Sequence, residues 1–139
     1  MQTLAAKTMN LLKTYQASLI ISCLLFVSFW FAPWLYGYLD AESQQILSYG
    51  GIKASIYLPN WVFNIYLILT IISYIGMYLF RKAFRLLFVS ILVLSIPLET
   101  LFGMVVMTGI EAAMLDISNI LSGIVIALAY FTELKSKFY

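Results

Sequence analysis

Long apolar stretches alternate with short polar connections along this chain. Four stretches reach the length of about 20 residues that an α-helix needs to cross a hydrocarbon core about 30 Å thick. They cover residues 17–35, 61–80, 84–107 and 109–131, and the one long connection, residues 37–60, joins the first two. The pattern predicts an all-α fold, a bundle of four transmembrane helices, formed as a single membrane domain over residues 1–139.

Composition supports the membrane assignment and excludes several classes of protein. Apolar residues make up 63% of the chain and charged residues 10%, whereas soluble domains carry roughly 25% charged residues. The mean hydropathy is +0.98. So few polar side chains cannot cover a water-facing surface, which excludes a cytosolic enzyme. The net charge of +2, with no large basic cluster, excludes nucleic acid as a partner.

Two absences limit the chemistry further. The chain has no histidine, so the commonest metal ligand and the usual acid–base group are missing. Its one cysteine, Cys23, lies in an apolar stretch and is interpreted as a small buried hydrophobe. We therefore predict no metal site, no cofactor and no enzymatic activity.

Basic residues are distributed unevenly between the two ends of the predicted helices. Seven of the eight lie before the first stretch, between the second and third, or after the fourth, and Lys53 is the exception. By the positive-inside rule, both termini and the turn with Arg81, Lys82 and Arg85 are cytoplasmic. These three side chains are also candidates to bind anionic headgroups. We predict a multi-pass protein of a bacterial inner membrane.

Capping signals predict local structure at the other ends of the predicted helices, away from most of the basic residues. Asp40 is placed to cap a short helix, AESQQILSY, which would end at Gly50 and Gly51 and lie against the membrane interface. Asn60 is placed to cap the second long helix. Thr108 and Glu111 have the spacing of a capping box at the start of the fourth, where the third and fourth helices are predicted to form a tight hairpin.

Glu99 is the main candidate for a functional residue. It lies inside the third stretch, where an ionised carboxylate costs about 2.5–3.5 kcal/mol, so it must be protonated, paired or facing water. Pro97 precedes it by two residues and removes a helix hydrogen bond, which predicts a kink or hinge beside the acid. The alternative is a structural proline kink in which protonated Glu99 bonds a neighbouring helix.

Asp116 is the second candidate, about two turns into the fourth stretch. Asp116, Asn119 and the pair Ser122–Gly123 recur at three-to-four-residue spacing, so they share a helix face, and that face is expected to point inward because lipid penalises it. Since antiparallel neighbours would bring Glu99 and Asp116 to similar depths, we predict a polar crevice containing Glu99, Asp116, Asn119 and Asn64.

Other features are interpreted as packing or anchoring. Small residues lie on one face of the first stretch, Ser18 and Ser22, and of the second, Thr70, Ser73 and Gly76, as at close helix contacts. Aromatic residues near the ends of the first two stretches, among them Trp30, Trp34 and Trp61, are interpreted as interfacial anchors rather than as a ligand cage.

Two functions fit these observations best. The first is a non-catalytic membrane protein that binds a membrane-embedded partner, which would be another membrane protein or a second copy. It would act as an accessory subunit or as an immunity protein against a membrane-inserting toxin. The alternative is a small oligomeric transporter, coupled to protons or cations through Glu99 and Asp116. An acid–base enzyme ranks last, since the sequence shows no nucleophile–base pair.

Overall fold

The computed structural model describes residues 2–48, 50–52, 54–56, 58–101 and 103–139, and of residues 2–7, 50–52, 99 and 104 it describes the backbone alone. Within these ranges it contains five α-helices: α1 Gln2–Phe31, α2 Ala41–Leu47, α3 Asn60–Tyr78, α4 Lys82–Leu101 and α5 Gly109–Phe131. Two 3₁₀ segments, Ala32–Tyr38 and Glu133–Lys137, follow α1 and α5. Two short strands, β1 Gly50–Ile52 and β2 Met104–Val105, pair antiparallel.

Three long apolar helices support the assignment to a membrane. Among the described residues, three helical segments are long and apolar enough to cross a membrane: Thr8–Tyr38, Asn60–Tyr78 and Gly109–Phe131. Large apolar side chains on these helices face outward, as in Leu24, Ile68 and Ile120. A lipid environment explains this exposure, because hydrocarbon tails are as apolar as leucine.

The long helices pack side by side in an antiparallel arrangement. α1 lies along α5 and also touches α3, and α3 packs on α4. One end of the bundle holds the start of α1, the α3–α4 turn and the segment after α5; we name it the turn end. The other, which we name the loop end, holds α2 and the two strands. The core near the turn end is apolar and includes Tyr15, Leu19, Met77 and Phe88.

The α3–α4 turn is short because its backbone takes an unusual conformation. Phe80 has a positive φ of 55°, a conformation that glycine usually supplies at the end of a helix. The Arg81 amide bonds the Gly76 carbonyl at 3.0 Å, and the Phe80 amide bonds the Met77 carbonyl at 3.0 Å. The Phe80 ring lies 5.3 Å from the Tyr15 ring and 5.2 Å from the Phe138 ring, and these contacts offset the backbone strain.

The segment after α5 returns to this turn. Leu134 is fully buried, and the Lys82 amide bonds the Tyr139 carbonyl at 2.9 Å. The Tyr139 amide in turn bonds the Phe80 carbonyl at 3.1 Å. The basic segment that follows the fourth apolar stretch is therefore packed against the bundle.

Two predicted caps at the loop end are confirmed. The Asp40 carboxylate accepts hydrogen bonds from the Ser43 amide at 2.9 Å and the Ser43 hydroxyl at 2.7 Å, and these bonds hold the pKa of Asp40 below its usual value. The Thr108 hydroxyl accepts from the Glu111 amide at 3.2 Å, while the Glu111 carboxylate accepts from the Thr108 amide at 2.7 Å. Both residues of the capping box are present as the spacing predicts.

Several predicted boundaries are wrong. The third apolar stretch was expected to stay helical to residue 107, but α4 ends at Leu101, because Gly103 has a φ of 78° and residues 104–105 pair with β1. A seven-residue connection therefore replaces the tight hairpin. The helix α3 begins at Asn60, with Pro59 in the capping position and no side-chain cap. The helix α1 starts at Gln2, well before the predicted span, because a helix can continue beyond the apolar stretch that hydropathy detects.

Candidate functional site

Four buried hydroxyl groups meet at the centre of the bundle. They belong to Ser22 of α1, Tyr74 of α3, and Ser118 and Ser122 of α5, which we name the hydroxyl cluster. Their side chains are at most 4% exposed. Because these residues come from three helices, the cluster marks the point where α1, α3 and α5 converge.

Hydrogen bonds satisfy the cluster internally. The Ser22 hydroxyl lies 2.7 Å from the Tyr74 hydroxyl and 2.9 Å from the Ser122 hydroxyl, and it also approaches the Ser118 carbonyl at 2.9 Å. The Ser118 hydroxyl donates to the Ser22 carbonyl at 3.0 Å. Small side chains let the backbones of α1 and α5 approach closely. Because the hydroxyls pair across helices, no polar atom of the cluster is left unpaired in the apolar interior, which would be costly.

These contacts confirm the interpretation of the small residues as packing residues. Ser22 is 0% exposed on α1, and Thr70 and Ser73 are 5% and 0% exposed on α3. Gly76 is buried against α4, where a β-carbon would lie 2.0 Å from Cγ of Phe84.

A large cavity lies between the hydroxyl cluster and the loop end. Its volume is about 400 Å³, and we name it the aromatic cavity. Aromatic side chains from α1 and α3 line it: Phe26, Phe29, Trp30, Phe63 and Tyr66. The rest of the wall comes from Leu58 and Val62, from Ser95 and Leu98 of α4, from Leu115 of α5, and from Gly103, Val105 and Met107 of the α4–α5 connection.

The volume of the aromatic cavity bears on its role. Lining atoms gain dispersion contacts only where something fills the space between them. The size also lies within the roughly 300–1,000 Å³ of small-molecule sites. The cavity is therefore the strongest candidate for a ligand site.

A smaller pocket continues from the aromatic cavity toward the hydroxyl cluster. Its volume is about 30 Å³, and it shares four lining residues with the aromatic cavity: Phe26, Tyr66, Ser95 and Leu115. Polar side chains are concentrated here, including Thr70, Ser73 and Asn119 together with three members of the cluster. We name it the hydroxyl pocket. It has room for about one water molecule or one polar group of similar size.

Of the residues predicted to form a polar crevice, the described part of the chain brings together Asp116 and Asn119, which lie on one exposed side of α5. Asn119 is exposed and lines the hydroxyl pocket. Asp116 and Asn64 are exposed on α5 and α3 and line neither cavity, so the inward orientation expected for Asp116 is wrong. The Glu99 side chain lies outside the described residues, and its role stays a prediction. The α4 helix continues through Pro97 to Leu101.

The exposed surface of α5 has two sides of different chemistry. One side carries Asp116, Asn119, Gly123 and Ala127, spaced three or four residues apart and all exposed; we name it the α5 polar face. The other side carries large apolar residues, with Ile110 at 69%, Ile117 at 48% and Ile120 at 64% exposure. Lipid suits the second side but not the first.

Glu111 has a structural role, as its capping position predicts. It is 3% exposed, and besides Thr108 its carboxylate accepts a hydrogen bond from the Tyr36 hydroxyl. This bond ties the 3₁₀ segment after α1 to the start of α5. Glu111 therefore holds the loop end together.

The arginines at the turn end are engaged by aromatic rings. The Arg85 guanidinium lies 4.4 Å from the centre of the Tyr130 ring and 5.2 Å from that of Phe138, and it donates to the Ala129 carbonyl at 3.3 Å. The Arg81 guanidinium lies 4.8 Å from the Tyr139 ring. Cation–π contacts of this kind stabilise the packed tail. The predicted binding of lipid headgroups by Arg81, Lys82 and Arg85 stays a prediction.

The sequence interpretation missed the aromatic cavity. Trp34 and Trp61 are 78% and 62% exposed, as membrane anchors would be. Trp30 instead faces the cavity with its ring centre 6.1 Å from those of Phe26 and Tyr66. The spacing of Phe26 and Trp30, four residues apart, was the available signal, because it places both rings on one helix face.

Comparison with known proteins adds no family assignment. No protein-family model, no curated protein and no solved structure matches this chain.

Proposed function

We propose that this protein is a non-catalytic, four-span protein of a bacterial inner membrane that binds another membrane-embedded protein through the α5 polar face. The observation that carries the proposal is the exposure of Asp116 and Asn119 on a helix long and apolar enough to cross a membrane. An aspartate facing lipid costs up to about 2.5–3.5 kcal/mol, the value for the centre of a span, and Asp116 lies about two turns into α5. A partner that covers this face removes that cost.

Small residues next to Asp116 and Asn119 on α5 support contact with another helix. Gly123 and Ala127 are four residues apart on the α5 polar face, which is the small-xxx-small spacing that allows helices to pack closely in membranes. A β-carbon added at Gly123 would meet nothing within 4 Å, so the glycine is not required by packing inside this chain. Close packing against a helix of another protein would explain a glycine at position 123.

The four-span topology rests on treating α4 as the remaining span. With 20 residues at 1.5 Å each, α4 is about 30 Å long, which matches the hydrocarbon thickness. Its surface is apolar, with Leu86, Val93 and Ile96 at 68%, 59% and 65% exposure. Four spans keep the turn end, with its basic residues, on one side, and we assign that side to the cytoplasm.

Cysteine labelling tests this topology. In a Cys23→Ser background, single cysteines replace Gln44 in α2 and Ser136 after α5, both of which are exposed. A membrane-impermeant maleimide should label intact cells at position 44 only, and position 136 only after permeabilisation. Labelling of both positions in intact cells would contradict the four-span proposal.

Partner binding is tested by cross-linking from the two sides of α5. A photoreactive benzoylphenylalanine replaces Ala127 on the α5 polar face or Ile117 on the apolar side. Irradiation of native membranes should yield a discrete protein adduct from position 127 and lipid adducts from position 117. The adduct is identified by mass spectrometry.

A matched pair of substitutions shows whether the adduct depends on close packing. Gly123→Leu should lower its yield about tenfold, the effect of about 1.4 kcal/mol, because leucine prevents close approach. Ala113→Leu, exposed on the apolar side, should leave the yield unchanged. An adduct at twice the mass of the chain would identify the partner as a second copy. Equal yields from positions 127 and 117 would refute the proposal.

The alternative transporter function gains no specific support. Coupling through Glu99 and Asp116 requires both acids at an interior pathway. Asp116 is exposed and lines neither the aromatic cavity nor the hydroxyl pocket. Accessory-subunit and immunity roles both need only a helix face that binds a partner, and the identity of the cross-linked protein distinguishes them.

A further inference from the structure

We propose that the aromatic cavity and the hydroxyl pocket together bind an uncharged, lipid-soluble molecule with a hydrocarbon body and a hydroxyl as its polar end. The body would occupy the aromatic cavity, and the hydroxyl would enter the hydroxyl pocket. The hydroxyl pocket shares Asn119 with the α5 polar face, but the aromatic cavity shares no residue with it, so the test of this proposal uses residues outside the proposed partner site.

The shape and lining of the aromatic cavity determine the body of the ligand. Its described walls are mostly apolar, and Ser95 and Tyr66 are the two residues with a side-chain hydroxyl among those named for it. Phe26, Trp30 and Tyr66 form a cluster of rings whose centres lie 6.1–6.2 Å apart. Large rigid rings offer contact area at little cost in side-chain entropy, which suits an alkyl chain or an apolar ring.

The hydroxyl pocket determines the polar end. Three of its hydroxyls donate to carbonyls of their own helices: Thr70 to Tyr66 at 2.8 Å, Ser73 to Thr70 at 2.7 Å, and Ser95 to Leu92 at 3.0 Å. Their protons are used, but their oxygens can still accept. The pocket therefore favours a group that donates a hydrogen bond, and its volume of about 30 Å³ admits a single hydroxyl.

Charge excludes other amphiphiles. No described residue that lines either cavity is charged. A carboxylate or an ammonium group would lose its hydration there without an ion partner, and such burial is strongly unfavourable. A neutral alcohol loses much less.

Trp30 provides a reporter for occupancy. In the Trp34→Phe, Trp61→Phe variant it is the sole tryptophan, because the chain has three. The probe is dodecanol with bromine at its terminal carbon, added to the protein in phosphatidylcholine vesicles. Bromine quenches tryptophan fluorescence on contact, so we expect saturable quenching of Trp30.

A matched pair of variants in α4 separates the cavity from the surrounding bilayer. Ser95→Phe fills the cavity without removing a hydrogen bond between helices, because the Ser95 hydroxyl bonds a carbonyl of α4 itself. It should weaken the apparent affinity for the brominated dodecanol about tenfold. Ile96→Phe, on the outer surface at 65% exposure, should leave it unchanged. Leu98→Phe repeats the test from a second lining position if Ser95→Phe does not fold. Equal quenching in the filled and control variants would overturn the proposal.

Further probes identify the ligand chemistry and its source. Bromododecane should bind more weakly than the alcohol because it cannot donate a hydrogen bond, and the brominated carboxylate and ammonium should bind more weakly still. A preference for the ammonium would overturn the assignment of an uncharged ligand. Vesicles of phosphatidylcholine with brominated acyl chains provide the comparison with bilayer lipid. One contrary outcome is that these lipids quench Trp30 more strongly in the parent protein than in Ser95→Phe, with no reduction when dodecanol is added. In that case the cavity holds a lipid chain and the hydroxyl assignment is wrong.

Discussion

Ser22→Leu is expected to separate α1 from α5 and to remove most of the stability of the bundle. Ser22 is 0% exposed, and its hydroxyl lies 2.9 Å from a carbonyl of α5, so the larger side chain has no space. The combined loss of packing and of hydrogen bonds between helices is on the order of 4 kcal/mol. Thermal unfolding in detergent, followed by circular dichroism, measures the loss.

Two further variants show that the effect comes from the contact. Ser28→Leu, on the same helix but exposed, should leave the unfolding temperature unchanged. Ser22→Ala removes the hydroxyl but adds no volume, and it should cost about 1 kcal/mol. Equal stability of Ser22→Leu and Ser28→Leu would show that α1 and α5 do not meet at this position.

Gly76→Ala is expected to destabilise the α3–α4 pair by about 1–3 kcal/mol, although alanine is the better helix former by about 1 kcal/mol. The added β-carbon would lie 2.0 Å from Cγ and 2.5 Å from Cβ of Phe84. Rotation about the Cα–Cβ bond of Phe84 moves Cγ but not Cβ, so the helices themselves must separate. The unfolding temperature in detergent reports the change.

Gly123→Ala is the matched control for Gly76→Ala. Nothing lies within 4 Å of its added β-carbon, so helix propensity alone should raise the stability of the isolated protein by up to about 1 kcal/mol. The double variant Gly76→Ala, Phe84→Ala should be more stable than the sum of its single effects, because the clash is gone. A strictly additive result would argue against the Gly76–Phe84 contact.

Much of the helical architecture could be predicted from the sequence. Helix positions depend on local signals: the start of α5 follows from the spacing of Thr108 and Glu111, and that of α2 from Asp40. Small polar residues on one helix face indicated where helices meet. Each of these signals lies within a few neighbouring residues, so it can be read without knowing the fold.

The features that depend on distant segments could not be predicted. The end of α4 is set partly by β1, which is some fifty residues earlier in the chain. The sequence placed Arg85 in a cytoplasmic turn but could not predict its partners, because Tyr130 at the end of α5 and Phe138 after α5 are brought to it only by the fold. The orientation of Asp116 was wrong because the hydroxyls of Ser118 and Ser122 occupy the inward side of α5 at that depth.

The cavity was missed for a related reason. Aromatic rings near the ends of apolar stretches are typical of membrane interfaces, and hydropathy alone does not distinguish an anchor from a cavity wall. Trp30 and Trp34 differ in this respect although they are four residues apart, because the chain changes from α-helix to 3₁₀ helix at Ala32. That change rotates successive side chains by a different angle.

The hydroxyl cluster has a consequence for how the protein is made. Ser22 and Ser118 are separated by 96 residues, so α1 leaves the ribosome long before its main packing partner exists. Until then, Tyr74 of α3 is the one member of the hydroxyl cluster from another helix that Ser22 can meet, and the contact between α1 and α5 is still missing. Assembly is completed by the last helix, and a chain stalled before that point would be a natural target for membrane proteases of the quality-control system.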